Sequence, residues 1–151
     1  MQGNSTADDR ITPEQLEVWR MLLRVQRRLI ALLEDDLETK HELPLAWYDV
    51  LVRLVEADDH RLRMSELADR VMLSPSGLTR LVDRLVADGL VRREHAERDG
   101  RGLYAVLTES GYERLRAASG THLRGIREHV ISRYSDEELG TLAALLSRLD
   151  T

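Results

Sequence analysis

"MSELADRVMLSPSGLTRLVDRLVADGLV", residues 64–91, holds two short helices and the turn that joins them. Leu67, Ala68 and Val71 mark the apolar face of the first, around residues 64–71. Ser74 then stands as an N-cap and Pro75 takes the first helical position, where its missing N–H costs nothing. In the helix that follows, Leu78, Leu81, Val82 and Leu85 are spaced i, i+3, i+4, i+7 and must face inward. Ser76, Gly77, Thr79, Arg80, Asp83 and Arg84 are left on the open side. Gly89 sits just past the helix C-terminus, where a left-handed residue ends the run.

Two β-prone stretches come next, "LVRREH" at 90–95 and "GLYAVL" at 102–107, separated by "AERDGR". The Asp-Gly step and the glycine after it are hairpin chemistry. Two helices at a tight turn followed by a hairpin is the plan of a winged helix-turn-helix. The predicted fold is therefore mainly α with a small β-hairpin wing: a winged lobe over 45–107 and a helical region over 12–40 and 108–151, after a flexible terminus at 1–11. The hairpin alternates Arg93, Arg98 and Arg101 with Glu94, Glu97 and Asp99. By itself that pattern suits either a solvated loop or an arginine-tipped finger aimed at an anion.

The flanks are helical. Thr12, Pro13 and Gln15 form an N-terminal signature, and a long helix should follow to about Glu38. Trp19, Leu22, Leu23, Leu29, Ile30, Leu33 and Leu37 recur on its broad face. After a break near Pro44, the apolar stripe Trp47, Val50, Leu51, Leu54 and Val55 predicts a second helix. Thr108 caps a long segment in which Gly120 and Gly125 each cost about 1 kcal/mol relative to Ala and invite a bend. Ser135 with Glu138 is a capping box opening a last, leucine-rich helix. Helices apolar on one face need a partner, either each other or a second copy of the chain.

Composition bounds the rest. The 151 residues, 42% hydrophobic and 32% charged, suit one domain or two small lobes sharing a core. There is no cysteine, hence no disulfide, thiolate ligation or thiol redox sensing. No apolar run approaches membrane-spanning length and the first ten residues carry no secretory signal pattern, so the expected setting is the cytoplasm, with no membrane partner. The formal charge of −5 is unevenly spread: residues 61–104 hold nine arginines against seven acids, while the remainder is net acidic by seven. The middle of the chain is locally basic, and arginine suits phosphate and guanine edges.

From "MSELADRVMLSPSGLTRLVDRLVADGLVRREHAERDGRGLYAVLTESG", residues 64–111, the chain resembles the MarR family of bacterial transcriptional regulators. The resemblance rests on the open helix face, the Gly-Leu-Val exit, the Asp-x-Arg wing and the "LTESG" start of the next helix, and the helical flanks follow the same order. It implies a homodimer whose terminal helices interlock, binding a near-palindromic stretch of double-stranded DNA with two recognition helices in successive major grooves. Carried over by position, Ser74, Ser76, Thr79 and Arg80 would touch DNA, with Gly77 among them on the same face. Arg84 would contact the backbone, Arg101 would probe the minor groove from the wing beside Arg98, and Asp99 would orient Arg101. Independently, free N–H groups at a helix start favour phosphate near Ser74 and Ser76, and Arg80 could fork onto a guanine or simply grip phosphate.

The resemblance further implies a repressor released by a small phenolic or anionic effector, with Trp47, Tyr48 and Asp49 as candidate ligand residues; Trp47 also suits the core. Asp49 and Arg93 match positions used by the urate-responsive branch, but its additional N-terminal helix is missing and Leu81 replaces its recognition-helix arginine, so urate is not expected. His122 and His129 lie two turns apart, about 10.5 Å along a helix, an awkward spacing for one zinc, and no metal or cofactor is expected. No nucleophile elbow, phosphate loop or paired ligand motif points to an enzyme. The competing reading is a winged-helix dimer that binds other proteins and not DNA.

Overall fold

The computed structural model describes residues 10–71, 73–95 and 102–150. The chain divides into two compact units, residues 1–32 and 33–151, and helix α1, Pro13–His41, begins in the first and ends in the second. In the first unit the cap is reciprocal, as its sequence predicts. The Gln15 main-chain N–H donates to the Thr12 hydroxyl at 3.2 Å, and the Thr12 N–H donates to Gln15 Oε1 at 2.9 Å. Val18, Trp19, Met21, Leu22, Leu23 and Val25 are exposed, Trp19 by 56%.

The second unit contains α2 (Leu45–Val55), a 3-10 turn (Asp58–His60), β1 (Arg61–Arg63), α3 (Met64–Arg70), α4 (Pro75–Ala87), β2 (Val91–His95), β3 (Leu103–Leu107), α5 (Glu109–His129) and α6 (Asp136–Leu146), with 3-10 turns at Ile131–Arg133 and Ser147–Leu149. Its sheet is antiparallel in the order β1-β3-β2. Strand β1 departs from the expected two-stranded hairpin. Three residues are too short for alternation to show, and β1 exists because β3 offers a second edge on which Arg61, Leu62 and Arg63 pair with Val106, Ala105 and Tyr104.

The core gathers Leu51 and Leu54 of α2, Leu67 of α3, Leu78, Val82 and Leu85 of α4, Val91 and Ala105 of the sheet, and Leu115 and Ala118 of α5. Each fully covered leucine contributes about 2 kcal/mol. The residues spaced for an inward face on α4 thus meet the core, although Leu81 is only partly buried. Helix α4 ends as predicted, with Gly89 at φ +74°. The Thr108 hydroxyl accepts from the Gly111 N–H at 3.0 Å and donates to the Gly89 carbonyl at 2.7 Å, tying the start of α5 to the end of α4.

Helix α1 continues three residues past Glu38, to His41. Its last carbonyl is bonded from α5, where Arg114 Nη2 donates to the His41 oxygen at 2.8 Å and to the oxygen of the following Glu42 at 3.1 Å. Helix α5 runs unbroken across Gly120 and Gly125. Gly125 has a packing reason: a Cβ there would lie 2.9 Å from Leu33 Cδ2. The Ser135–Glu138 capping box is formed in both directions. Leu123, Ile131, Tyr134, Leu145, Leu146 and Leu149 are exposed, Leu123 by 63%. Among the described residues no helix is long and apolar enough to cross a membrane.

Candidate nucleic-acid interface

Helix α4 buries one side and presents the other to solvent. Ser74 caps it, its Oγ accepting from the Gly77 N–H at 3.2 Å and lying 3.4 Å from Ser76 Oγ. Pro75 has no N–H and Gly77 and Leu78 donate theirs to Ser74, so the first turn keeps the Ser76 N–H and two hydroxyls at the positive end of the helix dipole. A Cβ at Gly77 would come 3.1 Å from Ser74 Oγ, so the glycine leaves room for the cap as well as facing outward. Thr79 is exposed, but its hydroxyl donates to the Pro75 carbonyl at 2.9 Å and is available to a ligand only as an acceptor. Arg80 and Arg84 are exposed and have no ion pair or side-chain hydrogen bond among the described residues.

Asp83 shares the open side of α4 with those two arginines but pairs with neither. Instead it accepts from Arg93 of β2, Oδ1 to Nη1, at 2.7 Å. The wing positions Arg98, Asp99 and Arg101 lie outside the described residues.

One basic group went unnoticed in the sequence. Arg61 and Arg63 place their guanidinium carbons 5.2 and 5.3 Å from the centre of the Tyr104 ring, on the outward face of the sheet with Arg92. Arg92 donates to Glu94 at 2.6 Å. No local pattern announces this cluster, because it depends on β1 pairing with β3.

The candidate ligand residues sit on α2. Trp47 is half-buried against the core, the alternative role that its place in the apolar stripe had suggested. Tyr48 is 7% exposed, its hydroxyl 3.4 Å from Ser119 Oγ and its ring centre 4.5 Å from that of His122 on α5. Asp49 approaches Arg53 Nε at 3.8 Å. His122 Nδ1 and Arg53 Nε are buried without a hydrogen-bond partner. His122 was set aside in the sequence, and only the packing of α2 on α5 brings it to Tyr48. His129 is elsewhere, 3.9 Å from Asp36, and among the described residues no three His, Cys, Asp or Glu side chains gather as a metal site would require.

Burial holds His122 below the ordinary histidine value of 6.5, with Asp49 opposing the shift. The unfolded chain therefore takes up this proton first as pH falls, and folding stability is lost from about 6.5 downward. In urea denaturation at about pH 7.5 and about pH 5.5, His122→Phe is expected to lose less stability on acidification than the parent. Equal losses in the two proteins would mean that His122 does not contribute.

Comparison with known proteins places this geometry in context. The MarR family model matches residues 41–102. AbsC, a MarR family transcriptional regulator from Streptomyces coelicolor, superposes with a TM-score of 0.87 at 38% identity, covering 93% of this chain and 95% of AbsC. Sco3205, a MarR family regulator from the same organism whose structure is in complex with DNA, gives a TM-score of 0.88 at 34% identity, covering 93% of this chain and 92% of its own. The transcriptional repressor YetL of Bacillus subtilis is 36% identical over 102 residues, 68% of this chain, and the match spans 60% of YetL.

Proposed function

The chain belongs to the MarR family of transcriptional regulators, which are not enzymes, and from that premise we propose that it acts in the cytoplasm as a homodimer on near-palindromic double-stranded DNA. Ser74, Ser76, Gly77, Thr79 and Arg80 meet the major groove, Arg84 contacts the DNA backbone, and Arg98, Asp99 and Arg101 serve the wing, Arg101 entering the minor groove. The observation that carries this reading is α4 itself: a capped helix with one face in the core and Arg80 and Arg84 free on the other.

The homodimer is supported by the apolar side chains that each unit leaves exposed, from Val18 to Val25 and from Leu123 to Leu149, which a lone chain rarely tolerates. Repression relieved by a small phenolic or anionic molecule is supported by the buried His122 and Arg53 nitrogens that lack a hydrogen bond, beside Tyr48 and Asp49.

Selection of bound duplexes from random DNA tests the proposal, with sedimentation to establish the oligomeric state. The expected result is a dimer that enriches a near-palindrome with half-sites about one helical turn apart. Arg101→Ala should then bind the enriched duplex more weakly, with a salt dependence flatter by about one unit of slope. A strict monomer would overturn the proposal, and an unenriched pool from a well-folded dimer would favour the protein-interaction module.

A further inference from the structure

Arg93 is a polar residue on the inward face of the sheet. It pairs with Ala105, which also pairs with Leu62, so the three share the side of the sheet that packs on the helices. Its side chain is only 26% exposed. It leaves the sheet by reaching back over α4, where Nη1 donates to Asp83 Oδ1 at 2.7 Å and Nη2 donates to the Thr79 main-chain carbonyl at 3.3 Å. One guanidinium thus holds the first strand of the wing to the middle of the helix whose outer face carries Arg80 and Arg84.

We propose that Arg93 is a positioning residue, a strap that sets the angle between α4 and the wing so that both can engage one duplex together. The proposal rests on the DNA-binding reading given above. Exposed ion pairs contribute little because both side chains stay hydrated and mobile. This one differs: the arginine is mostly covered, and its second bond is to backbone, so the helix itself and not just a flexible carboxylate is held. Apolar contacts through Val82, Leu85 and Val91 keep both elements folded without the strap. They are non-directional, however, and do not select one angle. Loss of Arg93 therefore broadens the orientations sampled by the free protein. Apparent affinity falls with the competent fraction, while the bound state keeps every phosphate contact.

The test is a double-mutant cycle on the full chain with the enriched duplex, using Arg93→Ala, Asp83→Asn, the double variant and Arg93→Lys. Affinity is measured across salt concentrations and paired with urea denaturation. Arg93→Ala should bind about tenfold more weakly with an unchanged salt slope. Adding it to Asp83→Asn should cost less than it does in the parent, the remainder being the bond to the Thr79 carbonyl, and Arg93→Lys should recover part of the loss. Parent-like affinity for Arg93→Ala would remove the strap. A loss undiminished in the Asp83→Asn background, with the slope lower by about one, would make Arg93 a direct phosphate contact instead. A loss that vanishes once the folded fraction is accounted for would make the pair structural only. Failure of the parent to bind any duplex would remove the DNA-binding reading itself, and the strap with it.

Discussion

Gly111→Ala is expected to destabilise the chain by about 3 kcal/mol or more, lowering the thermal midpoint by roughly 6–12 °C. Gly111 is the third residue of α5, where glycine would ordinarily be a poor choice. A methyl group here would drive into the Leu90 carbonyl oxygen and come 2.8 Å from Leu107 Cδ1. The carbonyl cannot rotate away, because it accepts from the Thr108 N–H at 3.2 Å. The same turn holds the cap from Thr108 to the Gly111 N–H. Relief therefore requires moving α5 off the strand, which opens the core at Leu115 and Ala118. Gly140→Ala is the control: a Cβ there meets nothing within 4 Å, so it should gain up to about 1 kcal/mol from helix propensity. Both values come from denaturant midpoints, and a Gly111→Ala protein as stable as the parent would show that α5 has room to shift.

Arg80→Ala is expected to leave folding untouched and to weaken binding to the enriched duplex by about 1–3 kcal/mol, roughly 5–150-fold. The side chain is exposed on α4, and no ion pair or hydrogen bond of its own among the described residues is lost with it. Selection repeated with the variant distinguishes the two ways in which an arginine can act. If Arg80 forks onto a guanine, one position of the enriched sequence relaxes and the others persist. If it grips phosphate, the sequence is unchanged, affinity falls for all duplexes alike, and the salt slope drops by about one. The same sequence at the same affinity would take Arg80 out of the interface.

Much of this molecule was legible residue by residue. The caps at Thr12, Ser74, Thr108 and Ser135 each join groups three residues apart, so the chain carries both halves of the interaction within one turn. Gly89 ends α4 for an equally local reason, since a left-handed backbone angle favours glycine wherever the chain goes next. The outward set on α4 follows from helical periodicity once its inward leucines are known.

Other features required distant segments to meet. Strand β1 has no pattern of its own and is made by the edge of β3. Asp83 could as readily have served Arg80 one turn back, but β2 returns beside α4 and delivers Arg93. Tyr48 and His122 become neighbours only when α2 packs on α5. Gly111 is, in the sequence, only the end of the "LTESG" helix start, and its packing reason appears when the Leu90 carbonyl is found against it. Local interactions declare themselves in sequence because the chain has few ways to separate their partners. Contacts across the fold depend instead on burial of the shared core, which chooses among many possible partners by fit and not by spacing.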